Sequence, residues 1–175
     1  PTTEELDHDF LWRVHKEVPA KGQIAIFNRS HYEDIIAVRV KKIFPDPVWK
    51  RRYKHVLDFE SMLAEEGTVI IKLFLNISKE EQKKRLESRL QDPDKLWKFC
   101  MDDLDDRNRW DEFQTAYQDL IEKTSTPEAP WYIIPADRKW YRNLVVARLM
   151  VEKLRHLQLS LPTPNFDPAS IIIPD

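Results

Sequence analysis

Asn28-Arg29-Ser30 directly follows the apolar run Gln23-Ile24-Ala25-Ile26-Phe27, and the carboxylates Glu33-Asp34 come one helical turn later. The run is short, apolar and bounded by Gly22, which predicts a buried strand. In open α/β sheets, ligands bind beyond the carboxyl ends of the strands. An arginine there offers a planar, permanently charged fork matched to phosphate oxygens. It could equally pair with a carboxylate such as Glu33 and seal the strand end. Glu33 and Asp34 also carry two readings. They could hold Mg²⁺ through water or orient a nucleotide, or they are the solvated acids that a helix dipole favours in its first turn.

A basic segment runs from Lys79 to Arg109 and includes Arg85, Arg89, Lys95, Lys98 and Arg107. Arg85 and Arg89 lie one turn apart and share a helix face. Two arginines on a mobile helix could close over a polyanion. The interleaved acids Asp92, Asp94, Asp102, Asp103, Asp105 and Asp106 support an ordinary solvated helix instead. Arg51, Arg52 and Lys54 crowd the expected start of another helix, against its dipole, where a bound anion would relieve the cost, although a run of surface cations is the commoner explanation. The five histidines show no zinc spacing, and Ser30 lacks the Gly-x-Ser-x-Gly setting of a hydrolase nucleophile.

These residues need elements to position them. Thr2-Thr3-Glu4-Glu5 reads as a helix start, with Leu6, Phe10, Leu11 and Val14 at helical spacing. Ser30 is placed to cap a helix bearing Ile35, Ile36 and Val40. A long helix is expected from Trp49 to Glu66, with Tyr53, Val56, Leu57, Glu60 and Leu63 on one stripe and Gly67 at its end. Residues 68–77 read as a strand buried on both faces, and Ser78-x-x-Glu81 as a capping box opening the basic helix. Further helices are expected over 109–123 and 137–156, with a strand at Trp131-Tyr132-Ile133-Ile134. Strands separated by helices predict an α/β fold with a parallel sheet covered by helices.

Composition narrows the classes. The formal net charge of −2 argues against nucleic acid or an anionic membrane as partner. No apolar run approaches the roughly 18 residues of a membrane span. The single cysteine fits a reducing, cytoplasmic setting. With two glycines, Gly22 and Gly67, the chain cannot spell a Gly-x-x-x-x-Gly-Lys phosphate loop.

Several strings, in order, resemble the polyphosphate kinase 2 family. They are Gly22 to Asp34 (GQIAIFNRSHYED) with Val38-Arg39-Val40, Phe59-Glu60, Lys72 to Gln82 (KLFLNISKEEQ), Pro93-x-Lys95-x-Trp97-Lys98, Thr124 to Trp131 (TSTPEAPW), and Ile134 to Asn143 (IPADRKWYRN). The resemblance covers the chain from about Thr3 to Leu154. It implies a P-loop kinase-like fold related to thymidylate kinase, and phosphoryl transfer between inorganic polyphosphate and AMP/ADP-type nucleotides with Mg²⁺. It implies that Arg29, Asn28 and Glu33 are catalytic, and that Glu33 and Asp34 meet the nucleotide. Phosphate ligands would be Arg13, Lys72, Arg85, Arg89, Lys95, Lys98 and Arg107. The Asn28 variant resembles the subgroup accepting both mono- and diphosphates. Residues 1–158 would form a partial kinase domain with a helical lid over about 80–108, and 159–175 a tail. Family members are usually homo-oligomers, and Ile171-Ile172-Ile173 would suit a contact. The family's phosphate loop and first strand are expected upstream of Pro1, and these 175 residues alone are expected to be inactive.

Overall fold

In the computed structural model, residues 1–174 are described. Two short helices, α1 (Thr3–Asp7) and α2 (Trp12–His15), open the chain. A capping box holds α1: Thr2 accepts from the Glu5 amide while Glu5 accepts from the Thr2 amide. The single helix expected here is split, because the Asp9 carboxylate accepts from the Leu11 amide at 2.9 Å and diverts the backbone.

The 23–27 run forms no strand. Ile24 is 67% and Ile26 88% exposed. A strand exists by pairing its amides and carbonyls, and no described segment lies alongside to take them. Ser30 caps nothing with its hydroxyl. Instead its carbonyl accepts from the Glu33 amide at 3.0 Å, and Tyr32 occupies the N-cap of α3 (Glu33–Val40).

Helix α4 (Asp46–Glu65) begins a turn earlier than expected because Pro47 stands in its first turn, where a missing N–H costs nothing. Arg51 and Arg52 therefore lie in its second turn and Lys54 in its third, and they do not crowd an anion-binding end. The helix ends on Gly67 at φ 90°, with Thr68 N–H donating to the Leu63 carbonyl and Gly67 N–H to Ala64.

Strand β1 (Lys72–Asn76) pairs in parallel with β2 (Trp131–Pro135), in the register Lys72↔Trp131 to Asn76↔Pro135. Between them run α5 (Lys79–Gln91), a 3-10 turn at Pro93–Lys98, α6 (Asp102–Asn108) and α7 (Trp110–Thr124). Helix α8 (Lys139–His156) follows β2, and the 159–174 tail is exposed. The architecture is α/β, with a small parallel sheet and many helices. The expected burial of β1 on both faces is not seen: Leu75 is 46% exposed.

The core joins α3, α4 and α7. Ile35, Ile36, Val38 and Val40 meet Trp49, Tyr53 and Val56, with Ala116 and Leu120 closing the third side. Arg39 fastens α3 to α7 through a 2.6 Å hydrogen bond to Asp119. This packing fixes α7, whose Tyr117 ring lies 4.9 Å from that of Phe74 on β1.

Candidate functional site

A cavity of about 370 Å³ opens at the carboxyl end of β1. Phe74 and Asn76 come from the strand, Arg85 and Arg89 from α5, Asp103 and Asp106 from α6, and Phe113 and Tyr117 from α7. Arg29 lines it from the preceding loop. A second cavity, of about 610 Å³, shares Asn76, Ile77, Trp110 and Gln114 with the first and continues toward Asp137 and Arg138. Together they form a groove across the sheet end.

Arg29 has a φ of 66°, a left-handed conformation uncommon for a side-chain-bearing residue. Such a residue persists only where its surroundings hold it. His31 and Tyr32 follow two and three residues on, their rings stacked at 4.6 Å, and Tyr32 is buried. The Arg29 side chain is exposed, and among the described residues it makes no ion pair and no hydrogen bond. The alternative in which Glu33 seals it is thus not a direct contact. The two act through space: burial raises the Glu33 carboxyl above its ordinary value, the Arg29 charge opposes this, and Asp106 and Asp34 push further up. Asn28 is exposed at the same loop.

The other predicted cations divide into two groups. Arg85 and Arg89 share the cavity with Arg29, yet both are engaged. Arg85 donates to Glu81 at 2.8 Å and to the Ala136 carbonyl at 2.7 Å, and Arg89 donates to Asp103 at 3.2 Å. The rest lie outside the cavity lining. Lys95 bonds Asp92, Lys98 sits over the Trp97 ring, and Arg107 donates to the Lys79 carbonyl and Gln82. Arg13 and Asp34 hold each other at 2.7 Å, and Arg52 donates to the Asp34 carbonyl. That pair fastens α2 to α3, so neither is presented to a ligand here.

Lys72 requires a correction. Its ammonium, 5% exposed, donates to Glu60 at 2.7 Å, the Thr124 carbonyl at 2.6 Å and the Tyr32 hydroxyl at 3.0 Å. A lysine has three donors, so none remains for phosphate. It belongs to a buried network that the sequence reading did not identify. Tyr32 donates to Glu60 at 2.6 Å, His31 lies 3.5 Å from the same carboxylate, and the Trp131 indole donates to the Thr124 hydroxyl at 2.9 Å. Burial opposes the Glu60 charge, but the nearby His31 ring and the hydrogen bonds from Lys72 and Tyr32 outweigh it and hold the carboxyl below its ordinary range. The signal was present: Glu60 is a charge on an apolar stripe, and Lys72 a charge at the start of an apolar strand.

Comparison with known proteins agrees with this architecture. The family described as Polyphosphate kinase 2 (PPK2) matches residues 1–161. The AMP/ADP-polyphosphate phosphotransferase of Meiothermus ruber is 54% identical over 173 residues, covering 99% of this chain and 65% of that protein. The ADP-polyphosphate phosphotransferase of Rhodopseudomonas palustris is 38% identical, over 93% of this chain and 60% of its own length. The crystal structure of Polyphosphate Kinase 2 from Arthrobacter aurescens TC1 superposes with a TM-score of 0.94 at 49% identity, covering 97% of this chain and 60% of that one. The chain thus spans a little under two thirds of the length of the relatives it matches. With nearly all of its residues matched in sequence and in fold, the chain belongs to the polyphosphate kinase 2 family.

Proposed function

We propose that the full-length protein transfers a phosphoryl group between inorganic polyphosphate and AMP- or ADP-type nucleotides, at the groove across the carboxyl end of β1. The observation that carries this reading is Arg29. Of the cations predicted to line a site, it faces the cavity with its charge uncommitted to any described carboxylate. Family membership and the printed names of the relatives supply the substrate class.

In the direction of nucleotide synthesis, an oxygen of the nucleotide's terminal phosphate attacks the terminal phosphorus of the polymer. The bridging P–O bond breaks, and the polymer leaves one unit shorter. Catalysis of such transfers is chiefly positioning and electrostatic stabilisation of charge on the moving group. Arg29 places a permanently charged guanidinium at the cavity, where it can offset the charge on the moving group. The reading extends to a P-loop kinase-like architecture, to residues 80–108 acting as a lid and to assembly of several copies. Helices α5 and α6 and the turn between them support the lid, because they reach the cavity through Arg89 and Asp103 and carry much exposed surface.

Mg²⁺ belongs to the proposal as a companion of the phosphates, which commonly hold it together with one or two carboxylates. It would offset their negative charge. No group of three or more His, Cys, Asp or Glu among the described residues could cage an ion.

The test is turnover of AMP and ADP with polyphosphate as sole donor, in wild type and Arg29→Ala. We expect a loss of about 10²-fold or more in kcat, the scale of removing one preorganised donor, with an unchanged thermal transition. A rate within a few-fold of wild type removes Arg29 from the mechanism, and turnover with ATP but not polyphosphate rejects the donor.

A further inference from the structure

We propose that Tyr117 is a second phosphate-binding residue of the cavity, its neutral hydroxyl donating to a non-bridging phosphate oxygen held by Arg29. The inference deepens the proposed phosphoryl transfer and rests on it for the identity of the ligand.

Tyr117 stands on α7 and lines the same cavity as Arg29. Its position is set by the core. Ala116 beside it and Leu120 one turn on are buried at 0% and 2% exposure, and Asp119 ties the helix to Arg39. The ring is braced by Phe74, with centroids 4.9 Å apart, and by Phe113 at 6.3 Å. A braced phenol loses little freedom when a ligand arrives, because it has only two side-chain torsions and both are already confined.

The hydroxyl has nothing to do within the protein. Among the described residues it makes no hydrogen bond, whereas the Tyr32 hydroxyl donates to Glu60 and accepts from Lys72. A tyrosine whose body is packed and whose oxygen is left open to a cavity suits a ligand with acceptors. Phosphate is such a ligand, and it needs more donors here than Arg29 alone supplies. Arg85 and Arg89, the neighbouring cations, already serve Glu81 and Asp103.

The electrostatics keep Tyr117 a donor. Its ionisation is pushed up to about 12 by burial and then by the Glu33 charge, against the pull of Arg29 and with a further push from Asp106. It therefore stays protonated across the working range and adds a hydrogen bond without adding charge.

The experiment compares wild type, Tyr117→Phe and Arg29→Ala in the full-length protein. Calorimetric titration with ADP and, separately, with tripolyphosphate reads the contact directly, and steady-state kinetics read kcat and KM. Tyr117→Phe keeps the braced ring, so the melting temperature is expected to stay put. Affinity is expected to fall about tenfold or more, the scale of a hydrogen bond to a charged group. Weakening toward ADP alone assigns the contact to the nucleotide, and weakening toward tripolyphosphate alone assigns it to the polymer. Binding of both within twofold of wild type overturns the proposal. If Arg29→Ala then still weakens binding, the transfer reading survives and only the role of Tyr117 falls. If the variant loses ADP affinity but wild type shows no polyphosphate-dependent turnover, the phosphate contact stands and the transfer reading falls.

Discussion

Glu33 shows how one residue's titration reports its surroundings. Its carboxyl is half-buried, and burial is the main reason that its ionisation lies above the ordinary value of 4.5, with Asp106 and Asp34 adding and Arg29 and Lys41 opposing. In the folded protein the group holds its proton to higher pH than in the unfolded chain. Its contribution to stability is fully present below the ordinary value and is lost as pH rises through the folded one. Glu33→Gln cannot ionise and removes this slope. Relative to wild type, the variant is expected to gain in melting temperature between pH 4 and pH 7.5. A difference that stays flat or reverses across that range would show that the carboxyl is not desolvated as described. Arg29 and Tyr117 belong to the same scale: each is a single group whose unoccupied hydrogen-bonding capacity faces the cavity.

At the scale of elements, the placement of α5 governs where Arg85 and Arg89 stand. The helix starts at Ser78, whose hydroxyl accepts from the Glu81 amide at 3.1 Å, while the Ser78 amide donates to Asp137 at 2.7 Å. One residue thus closes the helix end and ties it to the loop after β2. Arg85 reinforces that tie through the Ala136 and Asp137 carbonyls. Ser78→Ala removes the cap but not the backbone bond to Asp137, and is expected to cost about 1 kcal/mol of stability in denaturant titration. A cost near zero would mean that the Asp137 contact alone fixes the helix start. The hydroxyl cap was legible because it spans only the four residues Ser78 to Glu81, but the reciprocal half of the expected capping box does not form: the Ser78 amide donates to Asp137 and the Glu81 carboxylate accepts from Arg85. The strand expected at 23–27 was not correctly legible, because a strand depends on a neighbour that its own residues do not name.

For the molecule as a whole, the buried Glu60–Lys72 pair joins the long helix, the sheet and the end of α7. Each ion is about 95% buried, and their charges balance only with each other. Removing one partner strands the other charge, so Lys72→Met is expected to destabilise by about 3–5 kcal/mol. The double variant Lys72→Met/Glu60→Gln is expected to recover a large part of that loss, because no buried charge is left alone. A double variant no more stable than the single one would show that the network's hydrogen bonds, not charge balance, hold these elements together. Because His31 and Tyr32 touch the same network and lie two and three residues from Arg29, such changes are also expected to loosen the cavity's arginine.

Much of this protein can be read along the chain. The stripe of α4, the cap at Ser78, the strands near Lys72 and Trp131 and the strings shared with the family all depend on residues within a few positions of each other, so spacing alone reveals them. The division of the cations into engaged and available ones cannot be read that way. Arg39 meets Asp119 across 80 positions, Lys72 meets the Thr124 carbonyl across 52, and Arg85 meets the Ala136 carbonyl across 51. A hydrogen bond forms or fails over a fraction of an ångström, and only the packed chain sets distances that finely. Local order therefore told which residues were basic and on which elements they lay. Tertiary structure decided that Lys72 and Arg13 are held within the protein while Arg29 and the Tyr117 hydroxyl face open space.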